Sequence, residues 1–170
     1  MIRFVALLRA VNVGGTGKLP MNDLVQLCTD AGFEDVQTYI ASGNVVFATD
    51  LPIDQAKTAL EARLEAYAGR PVPVFIRTGL ELNRIWNANP FPDKPGNRTM
   101  VVFLDGTPPK DTLEQATGLK TEEVRLGERE LYIHYGEGMG QSKLKIPAAQ
   151  SGTARNMNTV AKLVKMALKD

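Results

Sequence analysis

Apolar residues fall along this chain in short blocks whose spacing alternates between the period of a strand and that of a helix. Ile2 to Val11 is almost continuously apolar, as expected of a strand buried on both faces, with Arg3 and Arg9 on the side of Val5 and Leu7. A glycine-rich loop follows, Asn12-Val13-Gly14-Gly15-Thr16-Gly17-Lys18. Pro20 opens a helix whose apolar side carries Met21, Leu24, Leu27, Cys28 and Ala31, and Gly32 stops it. Val36 to Ala41 and Asn44 to Thr49 read as short strands joined at Ser42-Gly43. After Pro52, a stripe of Ile53, Ala56, Leu60, Leu64 and Tyr67 predicts a second helix, ended by Gly69. Val72 to Arg77 is the fourth strand. This βαββαβ order is the ferredoxin-like unit, with two crossover helices on one face of an antiparallel sheet.

Thr78-Gly79-Leu80-Glu81 fits a capping box for a bridging helix through Leu82, Ile85 and Trp86, stopped by Asn89-Pro90. A loop runs from Phe91 to Arg98, and Thr99 to Asp105 is a strongly apolar strand. Pro108-Pro109 introduces a predicted helix through Leu113 and Ala116 to Gly118. Glu122 to Leu126 and Glu130 to Tyr135 form a hairpin about Gly127. A second crossover helix is expected near Gly140 to Ile146, then a polar stretch from Gln150 to Asn158. Val160, Leu163, Val164, Ala167 and Leu168 make the apolar stripe of a terminal helix. The expectation is an α+β chain of two ferredoxin-like (βαββαβ-type) halves in tandem. The second half lacks a clear last strand and ends in a helix. Residues 1–78 form the first half, 79–98 a bridging helix and loop, and 99–170 the second half with its C-terminal helix. No residue-level identity links the halves, so duplication rests on element order alone. The apolar open face of the first sheet is expected to be covered by the second half.

Composition narrows this picture. With 170 residues, 44% hydrophobic and 23% charged, the chain is an ordinary globular protein. No apolar run approaches the roughly 20 residues that span a bilayer, and the opening segment reads as a strand rather than a signal peptide. One cysteine, Cys28, excludes an internal disulfide and a Cys-based zinc cluster, and one histidine leaves His-rich metal sites without ligands. A cytoplasmic location is expected. The net charge of +1 does not force nucleic-acid attraction. From Met139 onward, however, Lys143, Lys145, Arg155, Lys162, Lys165 and Lys169 face only Asp170. This basic segment could steer an anionic partner, or form a solvated helix face.

The glycine loop before Lys18 resembles a P-loop only superficially. Asn12 stands where its first glycine belongs, Leu19 where its hydroxyl belongs, and the sheet is not parallel. Anion binding by loop amides and Lys18 remains open, against a loop whose glycines only permit positive φ. Ser42-Gly43-Asn44 has turn chemistry, and Ser42 has no base to activate it. Ser142-Lys143, after a second glycine-rich turn from Gly136 to Gly140, lacks Ser-x-x-Lys spacing, which favours phosphate or carboxylate contact or plain exposure over catalysis. Thr153, Asn156 and Asn158 are all plausible caps of the last helix. Arg155 beside them could clamp a carboxylate or phosphate, or tie the helix to local carbonyls. His134 and Cys28 read as structural, and Trp86 as packed between the halves. Phe4 and Phe47 are too few to make the aromatic platform of an RNA-recognition motif.

Four blocks carry a resemblance to a known family. They are Ala6 to Gly15, Thr38 to Phe47, Gly140 to Leu144 and Thr153 to Val160. Together they resemble the bacterial domain-of-unknown-function family 1697, over nearly the whole chain. Ala10 stands where that family usually has glycine, and Met157 where it usually has tryptophan. The resemblance implies two ferredoxin-like halves and no agreed activity, substrate or cofactor. Its signature positions here are Arg9, Asn12, Gly14, Gly15, Ser42, Gly43, Asn44, Ser142, Lys143, Arg155 and Asn156.

The leading expectation is a binding module for a small anionic or phosphorylated ligand, in a cleft between the halves. Arg9, Lys18, Lys143 and Arg155 would supply charge, and Ser42, Asn44, Ser142 and Asn156 orientation. The alternatives are an enzyme at the same cleft, for which the chain supplies no strong acid–base pair, or nucleic-acid binding by the basic C-terminal segment. Whether a cofactor is used stays open, and no membrane partner is expected.

Overall fold

A computed structural model of the protein describes residues 1–12 and 18–169, with only the backbone of Glu137. The chain divides into two compact units, Met1–Arg84 with Lys162–Asp170, and Ile85–Ala161.

In the first unit β1 (Ile2–Leu8), β2 (Glu34–Thr38), β3 (Asn44–Thr49) and β4 (Val74–Thr78) form one antiparallel sheet in the order β2-β3-β1-β4. That is the ferredoxin-like order. Between them run α1 (Met21–Asp30) and α2 (Ile53–Ala68), the latter closed by Gly69 at φ 73°. Alternation along the strands sends Phe4, Ala6, Leu8, Val45, Phe47, Val74 and Ile76 toward Leu24 and Cys28 of α1 and Ala56, Leu60 and Leu64 of α2. Phe47 stacks on Phe33 with centroids 4.1 Å apart. The two aromatics weighed for RNA stacking, Phe4 and Phe47, are therefore inside this core. Val5 and Leu7, on the opposite face, are buried as well, which explains the unbroken apolar run of β1.

Thr78 and Glu81 form the expected capping box of α3 (Gly79–Asn87): the Glu81 N–H donates to Thr78 Oγ1 and the Thr78 N–H to Glu81 Oε1, each at 3.0 Å.

In the second unit β5 (Thr99–Phe103), β6 (Glu123–Leu126), β7 (Glu130–His134) and β8 (Thr153–Asn156) pair in the order β6-β7-β5-β8, the same topology again. The second half thus has its last strand, which the hydrophobic pattern does not announce. In β8 the buried positions are Thr153 and Arg155, while Ala154 is exposed, so the alternation that marks a strand is written in polar residues. The predicted opening of the last helix at Thr153 is corrected accordingly: α4 (Met157–Ala167) begins directly after the strand, and Asn156 caps it by accepting from the Thr159 N–H at 2.8 Å.

The two crossovers of this unit also differ from expectation. The stretch from Pro109 to Ala116 is a series of turns, with bonds such as Thr112 N–H to the Pro109 carbonyl and Gln115 N–H to that of Asp111. Gly118, at φ 74°, then turns the chain so that Thr117 bridges Lys145 through two backbone bonds of 2.9 and 2.8 Å. The second crossover consists of two short 3-10 segments, Gly136–Gln141 and Pro147–Ala149. Val102, Leu104, Val124, Leu131, Ile133 and Ile146 make a smaller core beneath these turns.

Candidate functional site

The sequence-marked residues of the first unit gather around the end of β1. Ala10 and Asn12 both adopt left-handed backbone, at φ 58° and 56°. The Asn12 amide donates to the carbonyls of Leu19 and Ala41 at 2.8 Å, and its Oδ1 accepts from the Leu19 N–H at 2.7 Å. It thereby ties Leu19 to Ala41 at the β2–β3 turn. In that turn the fully buried Asn44 donates to the Tyr39 carbonyl and to Ser42 Oγ, each at 2.9 Å. Gly43, at φ 89°, hands its carbonyl to the Leu8 N–H at 2.9 Å. A Cβ on Gly43 would lie 2.6 Å from Val11 Cγ2. These contacts bring Asn12, Ser42, Gly43 and Asn44 together, and their side-chain bonds hold the turn. Gly14 and Gly15 lie outside the described residues. Arg9 is half-buried and Lys18 is exposed.

Lys18 lines a hollow of about 180 Å³ with Arg70 and Tyr67, above an apolar floor of Val11, Leu19, Leu64 and Val72. The Tyr67 hydroxyl donates to Asp23 Oδ2 at 2.6 Å, and this bond holds its pKa above the usual phenol range. Arg70 belongs to no motif, and only its place after the αL residue Gly69 sets it beside Lys18.

In the second unit, Ser142 donates to the Glu122 carboxylate and accepts from the Leu144 N–H at 3.2 Å. The Ser142 bond, followed by one from the Lys120 N–H, lowers the Glu122 pKa. The stability this adds is present above the ordinary carboxylate range and lost as pH falls through the lowered value. Ser142 thus has a carboxylate partner within the chain. Lys143 is exposed. Arg155 is buried and donates to Thr153 Oγ1 at 2.7 Å and to the Ala154 carbonyl at 2.8 Å. Burial pushes its pKa down to about 10, so it stays charged at neutral pH. Asn156 caps α4.

Arg155 has a counterpart that the sequence comparison of halves misses. Arg77 of β4 is also buried, donates to the Ile76 carbonyl at 3.1 Å, and stands opposite Val5 as Arg155 stands opposite Val101. Each arginine precedes a capping residue, Thr78 or Asn156, and then a helix. The signal is legible in hindsight as an arginine before a cap at the end of each unit's last strand.

His134 is buried, with Nδ1 3.0 Å from Thr99 Oγ1 on the paired strand. Trp86, expected to be packed, is instead 43% exposed at the C-terminal end of α3. Lys162, Lys165 and Lys169 are exposed, Lys162 lying 6.0 Å from the centre of the Tyr39 ring. Among the described residues, no helix is long and apolar enough to cross a membrane, and no three His, Cys, Asp or Glu side chains cluster to hold a metal ion.

No curated protein matches the chain. Among solved structures it is similar to the conserved bacterial protein SP0830 from Streptococcus pneumoniae, with a TM-score of 0.81, 25% sequence identity and 98% of each chain covered. Residues 1–132 match the family described as proteins of unknown function, DUF1697. With most of its length matched and both sheets in the ferredoxin-like order, the chain belongs to the bacterial DUF1697 family of uncharacterised conserved proteins.

Proposed function

We propose that this protein is a binding module for a small anionic or phosphorylated ligand. The observation that supports it is the hollow shared by Lys18 and Arg70, two cationic side chains over an apolar floor with no acidic residue in its lining. Two such charges facing one space repel each other, and an anion between them relieves that repulsion while gaining charge-assisted hydrogen bonds. The apolar floor takes the carbon skeleton of the ligand, and the Tyr67 rim sets its limit. Asn12, at the base of the same loop, positions Leu19 in that floor rather than touching ligand.

A thermal-shift screen of phosphorylated metabolites, followed by calorimetry, tests this reading. A ligand at about 100 times its Kd adds roughly 2.7 kcal/mol to stability. Binding should weaken at least about tenfold in Lys18→Glu and in Arg70→Glu, each an expected loss of one charge-assisted contact. A flat response to every phosphorylated or carboxylated compound overturns the proposal, as does binding that both charge reversals leave unchanged.

A further inference from the structure

A second hollow, of about 500 Å³, lies wholly within the second unit, and nothing in the family assigns it a role. Trp86, Pro92, Met157 and Ala161 supply its apolar lining. Its polar lining comes from Asn87, Asn89, Asn158 and Lys94. Tryptophan is among the side chains most strongly drawn out of water, and a large indole left 43% exposed at the edge of a hollow is an available stacking surface.

The polar groups beside it are placed by specific local structure. Asn89 Oδ1 accepts from the Phe91 N–H at 2.9 Å, which turns the loop and leaves the Nδ2 group to donate. Gly96 sits so close to the Asn158 amide that any side chain there would collide with it, so the Pro95–Gly96 corner is shaped around Asn158. Asn158 itself is exposed in the first turn of α4. Among the described residues no carboxylate lines this hollow, and the one formal charge in its lining is the positive charge of Lys94.

An aromatic face, several amides that both donate and accept, and a single cation form a set with a definite complement. The complement is a flat ring with hydrogen-bonding edges that carries a negative group. We infer that this hollow is a nucleotide site, taking a nucleoside monophosphate with its base on Trp86 and its phosphate toward Lys94. Amide side chains read base edges through paired donor and acceptor positions, and stacking on an aromatic face is common to all bases. The volume lies within the range of small-molecule sites. A neutral sugar would stack on the indole too, but it gives Lys94 nothing to pair with. This inference stands on a different unit and different residues from the Lys18–Arg70 reading, and either can fail alone.

Trp86 is the only tryptophan of the chain, so its emission reports on this hollow and nowhere else. The experiment titrates the whole protein with AMP, GMP, CMP and UMP, and in parallel with adenosine, ribose 5-phosphate and inorganic phosphate. A free tryptophan derivative corrects for absorption by the bases. The expected result is saturable quenching by at least one nucleotide. Adenosine should bind at least fivefold more weakly than AMP, and ribose 5-phosphate and phosphate should leave the emission unchanged. Lys94→Glu, an exposed position, should weaken nucleotide binding at least fivefold with unchanged melting temperature. Trp86→Ala should abolish heat release in calorimetry. Absence of quenching up to millimolar nucleotide overturns the inference. So does equal quenching by adenosine and AMP, or quenching that Lys94→Glu does not alter. If calorimetry detects a phosphorylated ligand that Lys18→Glu abolishes while Trp86 emission stays constant, the anion reading stands and the nucleotide site falls.

Discussion

The two sheets have one strand order and very different roofs. Sheet β2-β3-β1-β4 is roofed by α1 and α2, which place Leu24, Cys28, Ala56, Leu60 and Leu64 into its core. Sheet β6-β7-β5-β8 carries turns and short 3-10 segments in their place, and among the described residues Leu104 and Ile146 are the buried residues that these connections add to its core cluster. Strand pairing and register are therefore enough to define the topology, and a crossover needs only to span the sheet. What the helices add is buried apolar area, the largest favourable contribution to folding. The first unit should be the more firmly held of the two.

Cys28 gives the largest expected contrast. It lies on the buried face of α1, and burial pushes its pKa up from 9.0 to about 12. The thiolate is the reactive form, so labelling at pH 8 should be about a thousandfold slower in the folded protein than in the urea-unfolded chain. Fast labelling in native buffer would show that the helical roof opens readily and would break the comparison.

Core truncations come next. Leu60→Ala in α2 should cost about 3 kcal/mol in urea unfolding, whereas Leu144→Ala, half-buried beside the second core, should cost about 1 kcal/mol. Equal losses would mean that the turns pack as tightly as the helices.

Two glycines separate backbone strain from steric closure. Gly118→Ala forces a side chain against the Lys143 carbonyl at φ 74°, and should lose about 2 kcal/mol. Gly69→Ala, at φ 73° with open space around it, should lose about 1 kcal/mol, and the melting temperatures should rank in that order.

The caps sharpen the likeness rather than the difference. Thr78→Ala and Asn156→Ala remove the same kind of bond from α3 and α4, so each should cost about 1 kcal/mol by chemical denaturation. A cap that costs nothing would remove Arg77-Thr78 and Arg155-Asn156 as equivalent units. The smallest effect is a gain. Ala10 holds φ 58°, where glycine is free of strain, so Ala10→Gly should raise stability by about 0.5 kcal/mol.

Periodicity and punctuation carry most of both units, although β2 runs over Glu34–Thr38 rather than the expected Val36 to Ala41. β1, α1, α2, β3, β7 and α4 are marked by apolar spacing, and α3 by a capping box, because each of these signals is local. The residue types of the turn at Ser42-Gly43-Asn44 were equally readable. Tertiary structure alone decided the remainder. β8 exists because β5 offers an unpaired edge to a segment whose buried side chains are polar. The stretch before Gly118 is not helical because the Thr117–Lys145 bridge takes its end elsewhere. The hollows escape any reading of the chain in order, since Arg70 meets Lys18, and Trp86 meets Lys94 and Asn158, only once long-range pairing has brought separate segments together. A backbone pattern is set by neighbours within a few residues, whereas a site is set by which distant side chains packing leaves facing the same space.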